Sequence, residues 1–475
     1  MKRGVIGSYL SGITDLAHGE SYSKILKYFF PEYITALLLY SALHLIDAYF
    51  VGNLKSTSTY ATIGVTNTLL HFIIKIAEGF SVGSIVLTGQ YNGAKDYKSV
   101  GHTFANTFWV TCMLGTTIAL TLYFGAYWIY YLYGVSDKMI NIGIPFLRLR
   151  ALGVFFTFIY FGFIAFLRGI KNTKIPMYTS VVGAIVFLFF DYVLIFGKFG
   201  FPKLNLQGSA LATIIQYMIM LLLAAYTVLF NSDYKKYSIN LFATVSTWSS
   251  IKRLFSISWP VIMDKSIMAI AYIWMGAMIA TMGTHVIACF TVIKDLERIA
   301  FLPAIAFAQV ITLLVSNDFG ALNFEGIKTN IKKVVFLASI FVFMTLFILL
   351  LSPKYFISFF DHKNSFTDIA ARVFPIISPL VFLDIVQLIL SGAMRAIGDV
   401  KVVMWTRFVV IFGLFFPISY YISTLSINDH GMKFTLIYGI FYICSIFMNF
   451  VYINKLRSDN WKTPGFKGLY GKNNS

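Results

Sequence analysis

Asp47 is an ionisable side chain inside an apolar run, YSALHLIDAYFVGN over residues 40–53. A carboxylate at a membrane-helix centre costs about 2.5 to 3.5 kcal/mol on insertion scales, so it ordinarily faces a cavity, a partner or an ion pathway. Its chemistry there is proton exchange or cation binding. The inert alternative is an acid close enough to the helix end to reach the headgroups. His44 precedes Asp47 by three residues, on the same helix face, and can share its proton. A lone helix histidine is more often a packed neutral side chain. Lys75 and Glu78 have the i, i+3 spacing of a neutralising pair.

The elements that position these residues are membrane helices. The 475 residues are 58% hydrophobic and 12% charged, with a mean hydropathy of +0.75, far from the roughly one-quarter charged content of soluble domains. Twelve apolar runs are long enough for a bilayer core: 28–51, 59–84, 104–133, 141–167, 175–197, 206–230, 254–281, 284–316, 331–352, 372–394, 402–423 and 434–454. The first 27 residues lack the apolar core and cleavage site of a signal peptide, so the first span is expected to serve as targeting signal. Cys112, Cys289 and Cys444 are too scattered for a disulfide frame or a structural metal site and read as small buried residues.

A net charge of +18 would suggest nucleic acid in a soluble protein. Here the charges sort by side. With the N-terminus inside, inner segments hold 24 Lys and Arg; outer segments hold 10, among them Lys55, Lys138, Arg148 and Arg150. The positive-inside rule therefore places both termini in the cytoplasm of a plasma membrane protein. No nucleic-acid partner is expected.

The chain is also a duplication. AFLRGIKNTKIPM at 165–177 and GAMRAIGDVKVVM at 392–404 align at an offset of 227, as do GAKDY at 93–97 and GALNF at 320–324. That offset is six spans, an even number, so both halves point the same way and are related by a pseudo-twofold axis along the membrane normal. The expected organisation is a cytoplasmic segment over 1–27, a six-helix lobe over 28–230, a linker over 231–250, a second six-helix lobe over 251–454 and a cytoplasmic tail over 455–475. The repeated motifs fall in loops. Their Arg168 and Arg395 are expected to hold helix-end carbonyls or lipid phosphates, as scaffold and gate parts rather than a substrate site.

DAYFVGN, GQYNGAKD, FLRGIKNTKIPM, DYVLIFGKFGFP, GSALAT and SGAMRAIGD, in this order, resemble the multidrug and toxic compound extrusion family of cation-coupled exporters, over about residues 28–454. The resemblance implies two bundles that alternate between inward-facing and outward-facing states, with efflux driven by inward flow of protons or sodium ions. It assigns Asp47, Asp191 and Thr213 to a cation site in the first lobe. It also expects an Asn four residues before Asp191, where this chain has Phe187. Phe offers no oxygen to a cation, which favours protons over sodium. By helix rise the three residues lie roughly 6 to 10 Å below the outer surface, a shared depth that one site requires.

Asp384 occupies the position of a tenth-span acid found in one branch of the family. By position in their helices, Asp264, Asp295, Glu297 and Asp384 lie near the midplane. They are either coupling or cavity acids or members of neutralising pairs with Lys265, Lys294 and Arg298. The 48 Phe, 29 Tyr and 7 Trp face lipid and packing for the most part, and some line a cavity suited to flat organic cations.

The expected function is a proton-coupled antiporter exporting small organic, often cationic, compounds, active as a monomer in the lipid bilayer and without a cofactor. Protonation of Asp47 and Asp191 as a coupled pair would neutralise the cavity and let the first helix bend at Pro31. The alternatives are sodium coupling, or a lipid or metabolite flippase of the same superfamily, which would need several cations in its cavity. An enzyme would need clustered acids or a His/Cys metal set, and the seven His are dispersed.

Overall fold

The computed structural model describes residues 5–15, 17–54, 56–242, 248–361 and 366–462, and all regular structure among them is helical. Eleven of the described helices are long and apolar enough to cross a membrane. The remaining span is the first. It runs as Tyr22–Leu37, slips through a π turn at Leu38–Ala42, and continues as Leu43–Gly52. Pro31 sits in the regular stretch, where its carbonyl accepts the Thr35 hydroxyl at 2.8 Å. The change of hydrogen-bond register thus lies between Pro31 and Asp47 rather than at Pro31 itself.

Spans 2 to 6 are Thr57–Gly93, Tyr97–Leu132, Asp137–Gly169, Lys174–Phe196 and Leu206–Phe230. Spans 7 to 9 are Trp248–Ala280, Thr284–Gly320 and Phe324–Leu351. Span 10 joins Thr367–Ile377 to Val381–Ala396, span 11 joins Val400–Val410 to Phe416–Thr424 through a π turn, and span 12 is His430–Arg457. Every apolar run expected from sequence falls on one of them. Inside the apolar spans, Thr62, Thr66, Thr107 and Thr111 return their hydroxyls to the carbonyl four residues earlier at 2.8 Å. Each donor is thereby satisfied without water.

The duplication reappears as geometry. Between spans 2 and 3, Lys95 has φ 59°, and Asp96 donates its N–H to the Tyr91 carbonyl at 2.9 Å and caps Ser99. Between spans 8 and 9, Leu322 has φ 58°, and Asn323 donates to Asp318 at 2.8 Å and caps Gly326. The second pair of motifs also makes one turn twice, with Lys171 at φ 61° and Gly398 at φ 97°. Glycine reaches that left-handed region at no steric cost, whereas lysine holds it against a penalty.

The chain divides into two compact units, one of residues 30–262 and one of residues 1–29 with 263–475. In the first unit, residues from the start of span 7 pack on span 2. A Cβ added at Gly83 would stand 2.2 Å from Ser258 Oγ, and Phe80 meets Phe255 edge-on at 5.0 Å. The stretch expected to be a linker is likewise docked in this unit at its start. Tyr234 and Tyr237, on a 3-10 turn at Ser232–Tyr237, are buried in the core cluster of Phe104, Phe163 and Phe166. Burial pushes the Tyr237 phenol up to about 12. In the second unit, Phe29 stacks on Phe307 at 4.0 Å, and Glu20 donates its backbone N–H to Asn330 Oδ1 at 2.8 Å.

Candidate functional site

Asp47 stands five residues before the end of span 1, Asp191 five before the end of span 5, and Thr213 seven after the start of span 6. At about 1.5 Å per residue these depths agree to within one helical turn. Spans 5 and 6 cross closely at Gly208, where an added Cβ would lie 2.6 Å from the Leu194 carbonyl carbon. Gly197, at φ 68°, ends span 5 in the left-handed cap that lets the chain return. Ser209, which follows Gly208, is thereby brought to span 1, where its hydroxyl donates to Asp47 Oδ1 at 2.7 Å.

Asp47 and Asp191 are both buried, 8% and 0% exposed. Among the described residues neither carboxyl oxygen of Asp191 has a hydrogen-bond partner, the Ser209 hydroxyl being given to Asp47. A buried carboxyl in that state costs free energy unless something satisfies it. Thr213 donates its hydroxyl to the Ser209 carbonyl at 3.1 Å and accepts a hydrogen bond from Arg150 Nη1 at 2.6 Å. The guanidinium lies within Coulombic range of both aspartates.

Asp47, Arg150 and Thr213 line a cavity of about 80 Å³, together with His71, Lys75, Glu78, Phe161, Phe187, Gln216 and Tyr217. Lys75 and Glu78 form the expected pair, at 3.1 Å. Phe187 presents only its ring to this cavity. The His44 side chain, expected as a proton partner, lies outside the described residues. Among the described residues no three of His, Cys, Asp and Glu gather as a metal-binding group.

Two features of the site escaped the sequence. Ser209 was present only as part of the GSALAT motif, with no role assigned. Arg148 and Arg150 read as outer-segment charges, whereas both lie within span 4; Arg148 turns to the Tyr123 ring and Arg150 to the cavity. The available signal was that both fall inside the apolar run 141–167.

The MatE family model matches residues 33–193 and 260–421, most of both halves. The chain belongs to the MatE family. It is 24% identical over 422 residues to the probable multidrug resistance protein YoeA of Bacillus subtilis, covering 86% of this chain and 89% of that one. It is 23% identical to the probable multidrug resistance protein NorM of Thermotoga maritima, covering 79% and 80%. A mutant structure of the Vibrio cholerae MATE transporter VcmN superposes with a TM-score of 0.85 at 17% identity, over 96% of this chain and 99% of that one. A MOP superfamily transporter from Pyrococcus furiosus, described as having a binding pocket of reverse polarity, superposes at 0.83 with 17% identity, over 91% and 95%.

The second half of this MatE chain places its acids differently. Asp264, on span 7, is held by Arg395 Nη1 on Oδ2 and by Arg407 Nη1 on Oδ1, each at 2.8 Å. It is a member of a neutralising cluster, with partners other than the lysines expected. Glu297 accepts hydrogen bonds at Oε2 from the Tyr438 and Tyr442 hydroxyls. Asp384 accepts one from Ser445 at 3.3 Å. Asp295, half-exposed, pairs with Arg298 at 3.5 Å on another face of span 8. In the first half, Glu32 is clamped by Arg168 through Nε at 2.8 Å and Nη2 at 2.6 Å. The repeated arginines therefore hold carboxylates on the first helix of each half, where carbonyls or phosphates were expected.

Proposed function

We propose that this MatE transporter is a proton-coupled antiporter that exports organic cations from a bacterial cell, with both termini cytoplasmic and the Asp47–Asp191 pair as the site where proton and substrate compete. The observation that carries this reading is Asp191, fully buried with both carboxyl oxygens unpartnered among the described residues and within Coulombic range of Asp47, which itself lines a cavity with Tyr217 and Phe161. The relatives named as multidrug resistance proteins support efflux of drug-like molecules, and the excess of Lys and Arg on alternate segments supports the orientation. The transporter acts as a monomer and needs no cofactor.

The ionised pair attracts a flat cation, whose ring stacks on the aromatic lining. Protonation from outside removes that attraction, and the substrate leaves. Coupling follows because the two ligands have opposite preferences for the charge state of one site. Asp47→Asn fixes one carboxyl in its neutral form and is expected to lower pH-gradient-driven efflux of dye cations from vesicles at least about tenfold, the effect of roughly 1.4 kcal/mol at the site. Undiminished efflux in that variant would overturn the reading.

A further inference from the structure

A pair of buried aspartates beside a threonine hydroxyl has the oxygen chemistry of a metal-cation site, yet the positive charge there belongs to the chain. Arg150 enters from span 4, which supplies neither aspartate nor the threonine. Its Nη1 uses the Thr213 hydroxyl as acceptor at 2.6 Å, while the hydroxyl proton is committed to the Ser209 carbonyl. The Ser209 hydroxyl proton is committed to Asp47. On span 5, the ring of Phe187 stands one helical turn before Asp191 and supplies no ligand atom. From span 6, Tyr217 also faces the guanidinium, and span 2 contributes Lys75, Glu78 and His71 to the same cavity. Lys75 is engaged with Glu78, so among the described residues the guanidinium is the cation nearest in charge to the aspartate pair.

We propose that Arg150, held on Thr213 within Coulombic range of both carboxylates, is a tethered counter-cation for the Asp47–Asp191 pair, and that this makes the site selective for protons over sodium. The inference deepens the proposed function and rests on it for the role of the pair. A hard cation needs several oxygen ligands stripped of competing donors. Here one threonine lone pair is taken by an N–H, and a fixed positive charge within the pair's field opposes a small cation that, unlike a flat organic one, gains nothing from the aromatic lining. A guanidinium stays charged across the physiological range and, being planar and anchored on Thr213, swings toward the carboxylates or away from them without leaving the protein. A substrate cation or a proton therefore exchanges against Arg150, and external sodium is not part of the cycle.

The test is sodium binding by the purified full-length protein, read as the shift of its thermal unfolding midpoint over a NaCl titration at constant ionic strength with choline chloride. The native protein and Arg150→Lys are expected to show no saturable response to sodium. Arg150→Gln is expected to gain one, because loss of the tethered charge leaves the pair uncompensated, and Arg150→Gln with Asp191→Asn is expected to lose it again. A saturable sodium response in the native protein, or none in a folded Arg150→Gln, overturns the proposal. The titration does not depend on transport, so failure of proton-driven efflux in the native protein would strike the proposed function while leaving this result readable.

Discussion

Arg168 and Glu32 are one residue pair with two strong hydrogen bonds and almost no solvent, the carboxylate being 1% exposed. Bidentate charge-assisted contacts of this kind are the strong ones, and removing one partner strands the other charge in a dry site at a cost of about 3 to 5 kcal/mol. Glu32→Gln and Arg168→Met should each lower the thermal unfolding midpoint in detergent markedly. The double variant should recover part of that loss, since it leaves no lone charge. Two single variants as stable as the native protein would show that the pair carries no structural load. The clamp was invisible in the sequence, because Glu32 lies 136 residues from Arg168 and near a helix start where an acid looks solvated. Asp47 was legible for the opposite reason: an acid within an apolar run is conspicuous by its free-energy cost. Arg150 was counted with the outer charges although the expected span 141–167 already contained it, because a charge sorted by its nearest loop is taken to reach water.

At the scale of elements, the site depends on how closely spans 5 and 6 approach. Gly208 meets the backbone of Leu194, not a flexible side-chain end, so even one added methyl must separate the two helices. Gly208→Ala should move Ser209 away from Asp47 and lower both stability and efflux; a fully active, fully stable variant would contradict the crossing described above. The GSALAT motif was legible as part of the family resemblance, but the backbone its glycine meets was not. Tyr237 gives a second element-scale prediction. Its folded pKa, about 12, is above the ordinary tyrosine value, so docking of the 3-10 turn is fully stable below about pH 10 and is lost as pH rises from there through about 12. A spectrophotometric phenol titration should therefore show a late-ionising tyrosine that is missing in Tyr237→Phe. The same titration in both proteins would contradict the buried docking. Composition marked residues 231–250 as a polar linker; the packing of its tyrosines on span 3 and span 4 residues was beyond a polarity count.

At the scale of the whole molecule, the twelve apolar runs and the 227-residue offset were fully legible, because bilayer thickness and helix rise leave little choice of length. The repeated turns at Lys95 and Leu322 keep the same geometry although their side chains differ, which shows that the duplication preserves backbone more than chemistry. By contacts, the described residues before 30 group with the second half and the described residues up to 262 with the first, a grouping that hydropathy does not report. The central claim is competition of proton and substrate for the Asp47–Asp191 pair. It is tested most directly by proton release on substrate binding, measured with a pH indicator in weakly buffered, sodium-free detergent solution, using a dye cation that vesicles carrying the native protein expel. The account predicts release of protons by the native protein near neutral pH and none by Asp47→Asn with Asp191→Asn. Equal release by both proteins, or binding by the native protein without release at any pH, would contradict it.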